Sequence, residues 1–276
     1  MRASVRRRVL LTVAALWLVA VWFLARDGGS ITPRTWSVLG EFFAAALQPT
    51  LVSESGSGGS LLPSLATAVR TTVAFALGGM SLALAIGVAL GFLASSVWWR
   101  GDAVGAGAPA GPWILRGLHR ATRAFIAALR SVHELLWALL FLAALGLSSG
   151  AAVLALALPY GGTLAKVFAE LLDETPTSAP RTLSAIGAPA SITVLAGIVP
   201  QIFDDLLAYS FYRFECALRS SAILGFFGLP TLGYFLVLSF ENLYYREVWT
   251  YLYALFALVA VSELWSGTLR RRRAHA

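Results

Sequence analysis

The stretch Thr71–Leu93, TTVAFALGGMSLALAIGVALGFL, contains no charged residue and is long enough to cross a membrane as a single α-helix. A bilayer core about 30 Å thick requires about 20 mostly apolar residues in a helix. Within this stretch Ala83, Gly87 and Gly91 recur every four residues and therefore lie on one face of the helix. Small residues on one face allow a second helix to approach closely. The stretch therefore predicts a tightly packed transmembrane helix.

The composition of the whole chain also indicates a membrane protein. Of its 276 residues, 58% are hydrophobic and 13% are charged, whereas a soluble domain contains about 25% charged residues. A disordered chain is excluded, and a soluble domain of this size would need far more polar surface. Because Cys216 is the single cysteine, the chain can form neither an internal disulfide nor a cysteine-rich zinc site.

Six apolar stretches predict six membrane-spanning helices. They cover residues 9–25, 71–93, 124–147, 151–171, a region that starts near residue 192, and residues 248–264. The first stretch follows a basic N-terminus and has no small-residue cleavage site, so we expect an anchor that is not removed. Residues 36–47 predict a short interfacial helix, and the Gly/Ser-rich residues 53–60 predict a flexible loop.

Three of these spans carry features that bear on their shape. The clean apolar part of the third is too short to cross a membrane alone. We therefore expect its helix to begin earlier and to include Arg130, His133 and Glu134. Pro159 predicts a kink in the fourth span. A Gly- and Pro-containing stretch, residues 225–233, interrupts the pattern of the fifth.

The placement of the basic residues predicts the orientation of the chain in the membrane. Six spans put both termini on one side, together with the loops after the second and fourth spans. That side holds 13 cations, whereas the opposite side holds three, Arg26, Arg34 and Arg246. Cytoplasmic loops carry an excess of Lys and Arg. We therefore expect a multi-pass protein of the bacterial inner membrane with both termini in the cytoplasm, and no nucleic-acid partner despite the net charge of +7.

A polar segment, Asp173–Ser191, connects the fourth and fifth predicted spans on the cytoplasmic side and is called the coupling segment below. Thr177 or Ser178 can cap a helix whose first turn contains Pro180. Gly187 can end that helix in a left-handed conformation, and the proline at 189 prevents its continuation. The segment therefore predicts a short helix at the cytoplasmic surface.

The predicted helix of the coupling segment carries a small apolar face. Leu183 and Ile186 are three residues apart and lie on the same side of a helix. An exposed helix with such a face is suited to a groove of a partner protein. An ordinary structured loop is the alternative interpretation.

Motifs for chemistry on this chain are absent from the sequence. There is no zinc-protease motif, no serine nucleophile elbow and no Walker motif, so a membrane enzyme is disfavoured and ATP hydrolysis is not expected here. Acidic residues inside a membrane are candidates for function, and Asp204 and Asp205 lie in the fifth span. They allow an alternative function as a proton-coupled secondary transporter. They could equally face an aqueous cavity or pair with an arginine.

The coupling segment resembles the cytoplasmic loop of ABC importer permeases, which follows the pattern Glu-Ala-Ala-x3-Gly-x9-Ile-x-Leu-Pro. Here Arg181-Thr182-Leu183-x3-Gly187 is followed by Pro200 at the family spacing. Gly197 and Val199 stand at the Ile and Leu positions of the pattern. The glycine and the proline match, whereas Arg181 replaces the opening Glu and changes the charge presented to an ATPase.

Further stretches are similar to phosphonate ABC transporter permeases in particular. They are HELLWALLF at 133–141, GTLAKVFAE at 162–170, YRFE at 212–215 and LRSSAILG at 218–225. The resemblance covers roughly residue 71 to the C-terminus. The sequence departs from the family in the run FFGLPTLG at 226–233, where a glycine-rich run is usual, and at Asp204-Asp205, which replaces a usually apolar pair.

The resemblance implies an all-α membrane protein of type I ABC importer permease architecture. Residues 1–65 would form an N-terminal anchor and external loop, and residues 66–276 the permease domain with the coupling segment at 173–191. It further implies a homodimer, two cytoplasmic ATPase subunits, an external binding protein, a small phosphorus oxyanion as substrate, and no cofactor. The residues expected to dock the ATPase are Pro180, Arg181, Leu183, Ala185, Ile186, Gly187 and Ala188.

Charged residues near or within the spans are the candidates for the translocation path or the substrate site. They are Arg130, His133, Asp204, Asp205, Arg213, Glu215 and Arg219. Glu215 and Arg219 are four residues apart and can pair on a helix, which leaves Arg213 freer to meet an oxyanion. In the alternative, both arginines pair with acidic residues and only fix helix packing.

Overall fold

The computed structural model describes residues 2–26, 33–54, 59–97, 113–176 and 178–274. The chain forms two compact units, residues 1–48 and 49–276. The first unit contains helices α1 (Arg2–Arg26) and α2 (Pro33–Ala46). Helix α1 includes the first predicted span, and α2 confirms the short helix predicted over residues 36–47. The second unit includes residues 49–65, which the sequence assigned to the N-terminal segment.

The described part of the second unit is built from helices without β-strands. In chain order the helices are α3 (Leu62–Ala94), α4 (Trp113–Ser131), α5 (Glu134–Leu145), α6 (Ser149–Glu174), α7 (Ser178–Ala185), α8 (Ala190–Gly197), α9 (Val199–Ile223), α10 (Leu232–Glu241) and α11 (Tyr245–Ala274). A 3-10 turn, Leu224–Phe227, follows α9. The all-α class expected from the apolar stretches and from the resemblance is confirmed.

Three helices of this unit are long and apolar enough to cross a membrane: α3, α6 and the Tyr245–Thr268 part of α11. Two further pairs of helices meet the same criterion only when each pair is taken together, and both pairs are bent. The bend is 88° between α4 and α5, and 47° between α9 with its 3-10 turn and α10. By length and composition, the described residues therefore contain three candidate spans, or up to five if each bent pair is one span. These helices contain the second, fourth and sixth predicted spans.

The prediction of one continuous helix for the third span is wrong. Helix α4 ends at Ser131 and α5 begins at Glu134, with an 88° bend between them. His133 has extended backbone angles, and its Nδ1 accepts a hydrogen bond from the Leu135 N–H at 3.3 Å. A side chain that accepts from the first turn in this way acts as an N-cap. His133 therefore starts a new helix, while Arg130 belongs to the preceding one.

The core of the second unit lies between α3 and α6, and glycines allow the two helices to meet. A Cβ atom added at Gly79 would lie 2.8 Å from the Leu156 Cβ, and one at Gly87 would lie 2.6 Å from the Leu164 Cβ. Both distances are shorter than real side chains tolerate. Conversely, a Cβ atom at Gly161 of α6 would lie 2.8 Å from Ile86 of α3. The packing role predicted for the small-residue stripe is confirmed.

The interruption predicted in the fifth span is also confirmed, and polar side chains of neighbouring helices support it. Thr72 of α3 accepts a hydrogen bond from the Leu232 N–H at 3.0 Å, which satisfies a free donor at the start of α10. Ser221 donates to the Thr72 carbonyl at 2.9 Å, and Thr231 donates to the Ala222 carbonyl at 2.8 Å. The break is thus held by α3, because broken helices in a membrane need replacement partners for their backbone groups.

The close approach of α3 and α6 leads to a stability prediction. Replacement of Gly87 by Ala forces a methyl group against Leu164, and overpacking of this kind costs about 1–3 kcal/mol. We expect Gly87→Ala to lower the thermal unfolding midpoint of the detergent-purified chain.

Gly267→Ala is the matched control, because nothing lies within 4 Å of a Cβ atom at Gly267 of α11. Alanine favours a helix over glycine by about 1 kcal/mol, so the control should be as stable as the unmodified chain or more stable. Equal midpoints for the two variants would contradict the packing argument.

Candidate functional site

The coupling segment folds as the sequence predicts. Helix α7 covers Ser178–Ala185, and Gly187 follows it with a φ of +83°. The Ala188 N–H donates to the Leu183 carbonyl at 3.1 Å, which is the bond of a Schellman helix end. Pro189 then stands at the N-cap of α8. The predicted capping residue Thr177 lies outside the described residues.

The apolar face predicted for this helix is divided between two environments. A Cβ atom at Gly197 of α8 would lie 3.1 Å from the Leu183 Cδ1 and 3.4 Å from the Pro180 Cα. Leu183 and Pro180 therefore pack against α8 within the chain. Ile186 is 78% exposed. Leu183 is half-buried against α8, so Ile186 is the more exposed part of the predicted apolar face, and its contact with a partner stays a prediction.

A hydrogen-bonded chain of three polar side chains connects helices α5, α6 and α9. The Ser220 hydroxyl donates to the Glu134 Oε1 at 3.0 Å. The Tyr160 hydroxyl lies 2.9 Å from the Ser220 Oγ. Since the single proton of Ser220 is directed to the carboxylate, Tyr160 donates to Ser220. Tyr160 and Ser220 are buried, so the carboxylate of Glu134 is the acceptor on which both hydroxyls depend.

Arg213 of α9 is surrounded by tyrosines, which form the tyrosine cluster. Its Nε donates to the Tyr209 hydroxyl at 2.9 Å. Its guanidinium carbon lies 5.4 Å from the ring centre of Tyr209, 5.8 Å from that of Tyr212 and 5.9 Å from that of Tyr160. Cations within about 6 Å of an aromatic ring are attracted by its π-electrons. Among the described residues no acidic side chain pairs with Arg213.

Arg219 has a different environment from Arg213. Its Nη2 lies 3.0 Å from the Glu215 Oε1, which is the pair expected from their spacing of four residues. The sequence left open whether each arginine meets an oxyanion or pairs with an acidic residue. Arg219 pairs with an acidic residue, whereas Arg213 does not pair with any described one. The half-buried Arg213 is the cation left to interact with an anion.

The remaining candidates do not join the tyrosine cluster. Asp204 and Asp205 are exposed on α9 and precede Arg213 by eight residues or more, which corresponds to about 12 Å along a helix. The exposed His133 lies 3.6 Å from Glu134 through its Nε2. Arg130 borders a cleft between α4 and α6. The charged residues predicted for the translocation path or the substrate site therefore lie at several separate places in the structure.

Sequence reasoning missed Tyr160, Tyr209 and Ser220. Tyr209 and Arg213 are four residues apart in a helix, so their contact was available from spacing alone. The positions of Tyr160 and Ser220 depend on the packing of α6 against α9 and left no signal in the sequence.

A second polar centre lies at the start of α11. Glu247 is buried, and its Oε2 accepts from the Ser239 hydroxyl at 2.9 Å. Its Oε1 accepts from the Glu54 N–H at 2.5 Å and from the Ser53 hydroxyl at 3.4 Å. Glu247 thus anchors one end of the loop predicted to be flexible over residues 53–60, of which 55–58 lie outside the described residues.

With this geometry, the chain can be compared with known proteins. No protein-family profile matches it. It is 35% identical over 152 residues to the phosphite transport system permease protein PtxC of Stutzerimonas stutzeri, covering 54% of each chain. It is 30% identical over 215 residues to the phosphate-import permease protein PhnE of Mycolicibacterium smegmatis, covering 75% of this chain and 36% of that protein. The chain spans about half the length of these curated relatives, or less.

The fold agrees with these sequence relationships. An inward-facing structure of the MetNI methionine ABC transporter superposes with a TM-score of 0.63 at 19% identity, over 77% of this chain and 97% of that one. The resemblance to ABC importer permeases is thus supported by sequence and by fold. The sequence relatives include permeases of phosphite and phosphate transport systems, in line with the stretches at 133–141 and 162–170.

Glu134 should stabilise the junction of α5, α6 and α9. Glu134→Ala leaves the buried hydroxyl of Ser220 without its carboxylate acceptor, which costs about 1–3 kcal/mol. Glu134→Gln keeps an accepting oxygen and should cost less. Thermal unfolding midpoints of the purified variants measure both effects.

A double-mutant cycle distinguishes this network from a general effect of the substitution. In a Ser220→Ala background, Glu134→Ala should destabilise the chain less than it does alone, because residues in one network are not additive. Fully additive losses would show that the Ser220 bond to Glu134 contributes nothing.

Proposed function

We propose that the chain is the permease subunit of an ATP-driven importer and provides the membrane path for a phosphonate or a related small phosphorus oxyanion. The permease relatives of phosphite and phosphate transport support this substrate class. The observation that carries the proposal within the chain is Arg213, which is held by a tyrosine hydroxyl and aromatic rings instead of a carboxylate.

The environment of Arg213 suits passage of an anion. A guanidinium group presents several N–H donors in a plane that matches the oxygens of a phosphonate. Only its Nε is used by Tyr209, so the terminal nitrogens are available for oxygen acceptors. Attraction by aromatic rings contributes about 0.5–2 kcal/mol, which fixes the group in place without neutralising its charge. A single cation of this kind holds an anion weakly, as a path requires.

The proposed assembly contains two permease chains, the second a copy of the first, with two cytoplasmic ATPase subunits and an external binding protein that delivers the substrate. In this arrangement both termini and the coupling segment lie in the cytoplasm. The ATPase would contact the exposed part of the coupling segment, where Ile186 projects next to the helix end formed by Gly187. Closure of the ATPase subunits would move α7 and the helices packed on it as rigid bodies.

The proton-coupled alternative is weaker. It assigned the coupling ion to Asp204 and Asp205, and both are exposed on α9, away from the tyrosine cluster. Uptake that collapses with an uncoupler and requires no ATPase would favour this alternative over the proposed importer.

The substrate site is tested by reconstituting the permease with its ATPase and binding protein in liposomes. Uptake of a phosphonate should fall about tenfold or more for Arg213→Gln, because a hydrogen bond to a charged group contributes about 1.5–3 kcal/mol. Arg213→Lys keeps the charge without the planar donors and should be intermediate. Arg34→Gln, which removes a cation from α2, is the control.

Two results would overturn this part of the proposal. A phosphonate-loaded binding protein that fails to stimulate ATP hydrolysis by the unmodified complex would exclude the substrate class. Unchanged uptake by Arg213→Gln would exclude the site and leave the permease function itself intact.

The docking surface gives a separate prediction. Ile186→Asp should abolish co-purification of the ATPase, because it places a charge on an apolar side chain that is 78% exposed. Leu183→Asp is a poorer test, since Leu183 packs on α8 and its loss would also disturb the chain.

Leu47→Asp serves as the control, because Leu47 is 87% exposed and lies on the predicted external side. This variant should retain the ATPase. Retention by Ile186→Asp, with a thermal unfolding midpoint equal to that of the unmodified chain, would contradict the docking proposal.

A further inference from the structure

A basic cleft of about 180 Å³ lies between α4 and α6, next to the end of α3. Its charged rim is formed by Arg123 and Arg130 of α4 and by Lys166 and Glu170 of α6. Ala94 and Ile126 contribute to its apolar lining. The cleft is separate from the tyrosine cluster, and the proposed transport path does not use it.

The rim of the cleft has an unbalanced positive charge. Lys166 and Glu170 neutralise each other, with the Nζ 3.0 Å from the Oε1. Arg123 and Arg130 form no ion pair with any described residue. They are seven residues apart and so lie on one side of α4, two turns from each other. Two guanidinium groups therefore border the same opening without an acidic partner.

The stem of Arg130 is held in position by α6. A Cβ atom at Gly162 would lie 2.7 Å from the Leu129 Cβ and 3.3 Å from the Arg130 Cγ. The absence of a side chain at Gly162 thus brings α4 directly onto α6 and sets Arg130 beside it. Helix packing thus sets the position of the Arg130 stem at the rim of the cleft.

Helix α4 has the sequence character of a helix that lies at a membrane surface. Within residues 113–131 there are four arginines, one histidine and no acidic residue. The helix buries Ile126 and Leu129 and exposes Leu118 and Phe125. Since α4 and α5 meet at 88°, both cannot run along the bilayer normal. A basic amphipathic helix with exposed apolar residues is suited to the interface, where anionic headgroups lie.

We propose that the basic cleft binds the phosphate group of an anionic phospholipid between Arg123 and Arg130, with the glycerol and upper acyl carbons on the apolar floor around Ile126. A free phosphate ion shares the chemistry recognised by the two arginines. The apolar floor and the exposed Phe125 select the lipid, because an inorganic ion gains nothing from them. Basic pockets between transmembrane helices on the cytoplasmic side bind lipid headgroups for this reason. This assignment removes Arg130 from the candidates for the translocation path.

The test uses the detergent-purified full chain titrated with phosphatidylglycerol or phosphatidylcholine and followed by native mass spectrometry and thermal unfolding. We expect phosphatidylglycerol to bind about tenfold or more tightly than phosphatidylcholine and to raise the unfolding midpoint, because each Lys or Arg near an anionic surface contributes about a fivefold factor. The double variant Arg123→Gln with Arg130→Gln should lose the preference.

The matched control is the double variant Arg116→Gln with Arg120→Gln, which removes the same charge from exposed positions of α4 that do not border the cleft. It should keep the preference for phosphatidylglycerol. Equal loss in both double variants would show a general charge effect and overturn the site. Displacement of the lipid by inorganic phosphate would show a free-oxyanion site and overturn the lipid assignment.

A second variant covers the case in which the double substitution fails to fold. Ala127→Glu places a carboxylate at the lining of the cleft, at an exposed position, without removing either arginine. It should abolish the preference for phosphatidylglycerol while the unfolding midpoint in detergent alone stays unchanged. A preference equal to that of the unmodified chain would overturn the proposal.

Discussion

The close contact between α3 and α6 sets the geometry of the second unit. Lipid tails are as apolar as the side chains of a membrane helix, so helices in a bilayer associate mainly through shape. Gly79 and Gly87 on α3 and Gly161 on α6 leave no room for a side chain at the contact. Buried residues from α5 and α9 join the same cluster. Gly162, the residue after Gly161, then brings α4 onto a neighbouring face of α6, so one helix pair determines where three others can pack.

Buried polar groups impose a second constraint. A donor or acceptor without a hydrogen-bond partner is costly, and the bilayer core contains no water that could serve as that partner. The partners come from other helices. Thr72 accepts from the N–H at the start of α10, Glu134 accepts from the Ser220 hydroxyl, and the Ser220 oxygen accepts from Tyr160. Each of these bonds requires a specific alignment of two helices. The contact of α3 with α6 places the helices next to one another. The polar hydrogen bonds then favour one alignment of each helix along its neighbour.

Apolar length and small-residue spacing were sufficient to predict the membrane class, the positions of α3 and α6 and the face of α3 that packs against another helix. Glycine and proline placement was sufficient for α7, since its end depends on the local backbone at Gly187. The break at His133 was missed because the residues on both sides favour a helix, and only the cap formed with Leu135 reveals it. The division between Leu183 and Ile186 was missed for a related reason: helix periodicity places both on one face, whereas the neighbour that covers one of them is set by tertiary packing.

In the proposed importer, the position of α8 would connect the short helix α7 to α9. Pro180 and Leu183 pack at Gly197, the last residue of α8. The Gln201 side chain donates to the Gly197 carbonyl across the break at Ile198, which ties α8 to the first turn of α9. From there α9 is continuous to Arg213, about 20 Å away along the helix, and then to Ser220. A displacement of α7 would therefore act first on its packed contact with α8 at Gly197. From there it would act on α9, a single helix that carries both Arg213 and Ser220, the residue bonded to Glu134. Arg213 and Ser220 lie on the same helix. A movement of α9 that displaces Arg213 would therefore also strain the hydrogen bonds of Ser220 to Glu134 of α5 and Tyr160 of α6.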